Sequence, residues 1–315
     1  ERISIPAISY AGLVAEGIGY IRHDDFTDSC AAELRAAIEQ LIKEHNIHSL
    51  VIDYRSNGGG FMHEAVKIVG LFTPRGTEVV RTKGRTGEEH YKTSTEPLYP
   101  DLKLALLVNS GSASASEILA GALQDLDRAV IMGGRTYGKG LVQSTLHVGY
   151  NSYLKITTAK YYIPSGRCVQ ARDYSSLSED GSIGIVPDSL ISEFTTRGGR
   201  KVYDGGGIVP DVKHDEEYVS RFAVMLYSLG YIEDWADIYM RSHQNMDIDV
   251  RTFTISDDDY ADFCRFIEDK DVPYESETRE ALTTLRAAAE KELYDASLEC
   301  VLQGLDEMIK DDKMS

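Results

Sequence analysis

The sequence predicts an α/β core followed by a helical region, and three observations carry that fold class. Short apolar runs alternate with segments of helical period from residue 1 to about 165. Two of those runs empty directly into small-residue turns that open helices. Past residue 212 the strand signals stop and helix formers take over. The expected division is 1–213 for the α/β part and 214–315 for an acidic helical accessory region.

The elements follow in order. ISI (3–5) and GIGYIRH (17–23) predict strands, and AAELRAAIEQLIKEH (31–45) predicts a helix, with apolar residues recurring at three and four and caps supplied by Thr27 to Ser29. SLVIDY (49–54) is a short continuous apolar run of the kind found in buried strands. It empties into RSNGGG (55–60) before a second helix in FMHEAVKIVGLF (61–72). The design repeats where LKLALLVNS (102–110) runs into GSASASEILAGALQDL (111–126), so both strand-to-helix turns should open at one edge of one sheet. AVIMGG (129–134) predicts a third buried strand, and SYLKITTAKYYI (152–163) alternates as a strand with one wet face. Residues 168–212, rich in Gly, Ser and Asp, predict loops and short edge strands. Beyond them, 217–240 and 276–312 have helical period, joined by VRTFTISDDDY (250–260) with a cap-like Ser256.

Composition narrows the function classes. The 315 residues are 42% hydrophobic, enough for a real core, and no apolar run approaches the length of a transmembrane helix. Cys30, Cys168, Cys264 and Cys300 are scattered without C-x-x-C spacing, which argues against structural zinc and a disulfide framework and predicts free thiols. The net charge is -18, and residues 214–315 hold 26 acidic against 10 basic groups, so the acidity belongs to that region. Such a surface repels phosphates, and neither nucleic acid nor anionic lipid is an expected partner. The N-terminus has neither the basic region nor the apolar stretch of a signal peptide and starts on Glu1 without Met, the expectation being a chain cut from something longer.

VIMGGRTYGKGLVQ (130–143) admits two chemistries. Gly133, Gly138 and Lys139 match most of a phosphate-binding loop, which also needs a Ser or Thr after the lysine and a following helix. Position 140 is Gly, and GLVQSTLHVG continues with strand spacing, so Lys139 should sit between strands and hold no nucleotide. The other reading makes Lys139 the base for a serine. Ser114 lies at the expected N-terminus of a helix, where free N–H groups and the helix dipole favour negative charge. The stretch Ser114-Ala-Ser-Glu117 is equally a good capping box without chemistry, and that alternative stays open at this point. No histidine sits in a catalytic signature, and Ser114 is outside a G-x-S-x-G elbow. A lysine can replace histidine in a Ser-Lys dyad if its amine is neutral; at pKa 10.4 only roughly one in 2,500 is, at pH 7.

GYIRHDDF, VIDYRSNGGG, NSGSASASEILAGALQD, GGRTYGKGLVQ, LKITTAKYYIPSGR and DGGGIVPD follow one another between residues 19 and 211, and Ser, Lys and Gln stand at 114, 139 and 143. In these stretches the chain resembles the carboxyl-terminal processing peptidases, the S41 serine endopeptidases that use a Ser-Lys dyad. The resemblance implies a crotonase- or Clp-protease-like sheet-and-helix core. It makes Ser114 the nucleophile, Lys139 the general base and Gln143 the group that positions the lysine. The oxyanion hole would use the N–H groups of Ala115 and of a glycine in NGGG, Gly59; read without the resemblance, NGGG is equally a tight strand-to-helix turn. Removing one such donor typically slows a reaction about 10²- to 10³-fold. The implied reaction is peptide-bond hydrolysis through an acyl-enzyme, with no metal or organic cofactor. Implied substrates are unfolded or flexible protein C-termini, and the implied setting is the periplasm or another exported compartment. Position 58 is Gly where the family commonly has Pro, and the acidic helical region lies outside the shared core. Members usually carry a PDZ domain just upstream of the region matching Glu1, so the parent protein is expected to supply one. The alternative function is a catalytically silent binding module on the same fold.

Overall fold

In the computed structural model, residues 6–85, 87–177, 183–214, 219–244, 246, 248, 253–270 and 272–273 are described. The chain divides into two compact units, Glu1–Glu216 and Glu217–Ser315.

The first unit begins with a hairpin of β1 (Ile8–Ala15) and β2 (Ile18–His23). The expected strand at 3–5 lies outside the described residues. Next come α1 (Cys30–His45), β3 (Ser49–Asp53) and α2 (Met62–Gly70). Ser29 is the first cap of α1, but its side chain makes no cap bond. The orphan N–H of Ala31 is instead taken by the buried Glu64 Oε2 of α2 at 2.9 Å, so one helix caps the other. β4 (Glu78–Gly84) and β5 (Gly87–Lys92) form an antiparallel pair that the apolar pattern did not announce, because β5, GEEHYK, is almost wholly polar and exposed.

Then follow β6 (Lys103–Val108), α3 (Ala115–Asp125), β7 (Val130–Gly133), and a long hairpin of β8 (Leu141–Gly149) and β9 (Ser152–Tyr162). Short pairs β10 (Arg172–Leu177) with β11 (Ile183–Ile185) and β12 (Glu193–Thr195) with β13 (Lys201–Tyr203) fill the Gly-rich stretch, as expected for edge strands. β14 (Val212–Lys213) closes the unit.

Two sheets organise these strands. The larger has the order β1-β2-β3-β6-β7-β14 and is parallel from β2 onward; the smaller, β5-β4-β9-β8, is antiparallel. Leu34 and Ile38 of α1, Ile68 of α2 and Leu119 and Leu123 of α3 pack with Ile52 and Leu106 of the parallel sheet into one core, all buried. Register decides where the turns open. Asp53 of β3 stands opposite Leu107 of β6, so both strands finish at the same level and their loops leave the same edge.

In the second unit, α4 (Arg221–Ser228), α5 (Tyr231–Ser242) and α6 (Asp257–Glu268) are described. The periodic stretch 217–240 is two helices rather than one, because Gly230 adopts φ 76, a left-handed state that ends one helical path and starts another. Ser256 does cap α6, accepting the N–H of Asp259 at 3.2 Å. Trp235 packs on Tyr239 and edge-on to Phe263, ring centroids 5.1 and 5.4 Å apart. The expected helix at 276–312 lies outside the described residues.

Candidate active site

The loops after β3 and β6 are sewn together by buried hydrogen bonds. Ser112 Oγ donates to the Tyr54 carbonyl at 2.8 Å, Ala113 N–H to the Asn57 carbonyl at 3.0 Å, and Ser116 Oγ to the same carbonyl at 2.9 Å. Beneath them Asp53, fully buried, accepts from Tyr20 and from the guanidinium groups of Arg22 and Arg55 at 2.7–3.1 Å. Burial pushes its carboxyl up, and the hydrogen bonds from Arg55 and Tyr20 outweigh that and hold it below the usual carboxylate range.

Ser114 is the first residue outside α3, with φ 57 and ψ -114, a backbone state that side chains rarely adopt and that accompanies functional turns. Ser114 and Glu117 stand in the capping-box arrangement, but only the glutamate arm has full hydrogen-bond geometry, the Ser114 N–H donating to Glu117 Oε2 at 3.0 Å. The Glu117 N–H goes to the Ser114 carbonyl at 2.9 Å, and the hydroxyl of Ser114 makes no cap bond. Ala115, the first helical residue, has no hydrogen bond from its N–H among the described residues.

Gly59 meets this turn at close range. At φ 95, a β-carbon there would lie 2.6 Å from the Ala113 carbonyl oxygen and 2.8 Å from both Ala115 N and Ser114 Cβ, so only glycine fits. Its own N–H, however, donates to Asn57 Oδ1 at 2.9 Å. In this conformation Gly59 supplies the space beside Ser114, and its amide is turned to Asn57. Gly58, which lines the same cavity as Lys139, has an N–H with no hydrogen bond among the described residues.

Lys139 sits in the loop between β7 and β8, and no helix follows it, which removes the phosphate-loop geometry. Gly58, Ala113, Lys139 and Gln143 line one cavity of about 290 Å³, which shares Leu141, Gln143, Gln170 and Arg172 with a neighbouring one of about 600 Å³. Lys139 is half-buried and Gln143 exposed. Neither the Lys139 amine nor the Gln143 amide makes a side-chain hydrogen bond among the described residues.

Glu117 is the residue that sequence reasoning undervalued, seeing only a helix cap. Fully buried, its carboxylate accepts from Ser114 N–H, Thr136 Oγ1 at 2.6 Å, Gly138 N–H at 2.7 Å and Lys139 N–H at 2.8 Å. It therefore fixes the main chain at Ser114 and at Lys139 with one group. Burial raises its carboxyl above the ordinary value against the pull of those four donors. Gln170 was also missed; its Oε1 takes the Gly140 N–H at 2.7 Å. Elsewhere Asp28, His63 and Glu64 bring ligand atoms within 4.8 Å of one another, but Glu64 is already held by Lys67 and the Ala31 N–H. Cys30, Cys168 and Cys264 are free thiols, as expected.

Comparison with known proteins places this geometry. The profile of peptidase family S41 matches residues 17–191, and that of a probable PDZ-protease C-terminal helical domain matches 222–315. A carboxy-terminal-processing protease of Bartonella bacilliformis is 37% identical over 61% of this chain and 42% of its own length. A probable CtpA-like serine protease of Staphylococcus epidermidis is 31% identical over 75% of this chain and 45% of its own. The solved photosystem II D1 C-terminal processing protease superposes with TM-score 0.52 at 27% identity, over 70% of this chain and 51% of that one. The chain thus spans less than half the length of these curated relatives. With more than half of its residues inside the family profile, and its motifs carried on the family's mixed α/β architecture, the chain belongs to peptidase family S41.

Proposed function

We propose that this chain carries the catalytic machinery of a serine endopeptidase that cleaves protein substrates near their C-termini through a Ser114–Lys139 dyad. The observation that carries the reading is that Glu117 grips the N–H groups of Ser114 and Lys139 together. Lys139 lines a cavity whose wall includes Ala113, the residue before Ser114. In the reaction, Ser114 Oγ attacks the scissile carbonyl while the Lys139 amine takes its proton and passes it to the leaving amine. Water then releases the acyl group by the reverse path. Gln143, on the same cavity wall, would orient the amine once the dyad closes. Ala115 N–H and Gly58 N–H, without hydrogen bonds among the described residues, would be the donors for the oxyanion; Gly59 would serve only after leaving Asn57. An exported setting and an upstream PDZ domain that delivers C-termini belong to the same proposal.

The Lys139 amine, without a hydrogen bond among the described residues, and the engaged Gly59 amide favour one second reading, a binding module without turnover. Incubation with a denatured polypeptide separates them. Hydrolysis that disappears in Ser114→Ala and Lys139→Ala supports the peptidase, whereas binding without hydrolysis in the parent supports the silent module.

A further inference from the structure

Tyr161 is 2% exposed, at the end of β9, and its ring belongs to the hydrophobic core. A phenylalanine would fill that space equally well, so the hydroxyl needs its own reason. It donates a hydrogen bond to the Lys139 carbonyl and also lies 3.3 Å from the Ser114 carbonyl. The two acceptors differ in need. The Ser114 carbonyl already takes the N–H groups of Glu117 and Ile118, both at 2.9 Å, whereas the Lys139 carbonyl has no other donor among the described residues. The tyrosine's own N–H holds the next carbonyl, that of Gly140, at 3.0 Å.

The peptide units on either side of Lys139 are thus fixed from opposite directions, the N–H by Glu117 of α3 and the carbonyl by Tyr161 of β9. Both groups also reach Ser114. Burial, with Glu117 nearby, drives the phenol well above its ordinary value, so its proton stays in place at any working pH.

We propose that Tyr161 is a positioning residue whose hydroxyl registers the main chain of the base against that of the nucleophile, a role that rests on the peptidase reading for its catalytic consequence. The side-chain ends of Ser114 and Lys139 make no hydrogen bond to each other among the described residues, so productive approach depends on where their backbones are anchored. A misplacement of about 1 Å is enough to slow a reaction about 100-fold.

Tyr161→Phe tests this by removing one oxygen. In the full chain, amide hydrogen exchange should lose protection at Lys139 and Gly140 by about tenfold or more, while Leu106 in the parallel sheet is unchanged. Turnover of a denatured polypeptide should fall about 10- to 100-fold in kcat with KM within about twofold. Replacing Tyr161 by 4-aminophenylalanine, which keeps the ring and restores a donor, should recover both readouts, and it decides by the same readouts if the phenylalanine variant does not fold. Unchanged protection at Lys139 and Gly140, or lost protection with kcat intact, overturns the role. A parent that hydrolyses nothing while Tyr161→Phe still loosens Lys139 would sink the peptidase reading and leave the anchoring in place.

Discussion

Ser114 leaves a parallel sheet whose strands are largely buried, whereas Lys139 and Gln143 lead into a hairpin most of whose side chains are exposed. Ser114 inherits its position from the core: Ile52, Leu106 and Leu119 fix the strand and the helix, and hydrogen bonds between the two loops fix the turn. Lys139 has no such foundation. It depends on a few point contacts, Glu117 from the helix that Ser114 opens and Tyr161 and Gln170 from the chain that returns beside it. One half of the site is therefore specified by packing and the other by polar side chains that a packing argument does not see.

The contrast can be broken at its joint. Glu117→Ala leaves four donors around the site without their acceptor, each worth about 1–3 kcal/mol when buried and unpaired. Denaturant unfolding should show a loss of about 4 kcal/mol, with turnover gone. Retained turnover would mean that the two halves hold their register without the shared carboxylate.

It can be sharpened from the nucleophile's side. His23, at the end of β2, is fully buried, and burial lowers its pKa from 6.5 to about 4 against the opposing pull of Asp25, Asp24 and Glu64. Its carbonyl also accepts the Asn57 Nδ2 that steadies the glycine loop, at 2.7 Å. Because the folded pKa lies below the unfolded one, the unfolded chain binds the proton more readily. The associated stability is present above about pH 6.5 and falls by about 2–3 kcal/mol by pH 4.5. Comparing denaturation midpoints at the two pH values should give a smaller difference in His23→Gln than in the parent.

The smallest expected effect is on the exposed hairpin. Gln143→Ala removes a side chain with no hydrogen bond in the resting state, so stability should hold within about 0.5 kcal/mol. Turnover should fall about tenfold, measured on the same denatured polypeptide. A large change in stability instead would place Gln143 in the framework rather than in the closing of the dyad.

The same contrast explains what was legible in the sequence. Buried parallel strands such as SLVID and KLALLV are continuous apolar runs, so their turns and Ser114 could be placed at one sheet edge. β5 could not be, since a polar strand held by its neighbour has no period of its own. The place of Lys139 between strands was legible through its glycines and the strand spacing after it, Glu117 only as a cap, and Tyr161 not at all, because one aromatic in an alternating run gives no sign of what its hydroxyl meets. The engagement of Gly59 by Asn57 was hidden for a similar reason, since N-x-G is consistent with either amide facing the cavity.

The turn at Ser114 has a further consequence for how such a chain can change over time. With φ 57 and ψ -114, the backbone there disfavours every residue that carries a β-carbon, by about 1–3 kcal/mol, and only glycine is at ease. Keeping a hydroxyl at this point means holding a residue against the preference of its own main chain. On the proposed peptidase reading, a lineage released from the need for that hydroxyl would drift toward glycine here and become sturdier as it did so.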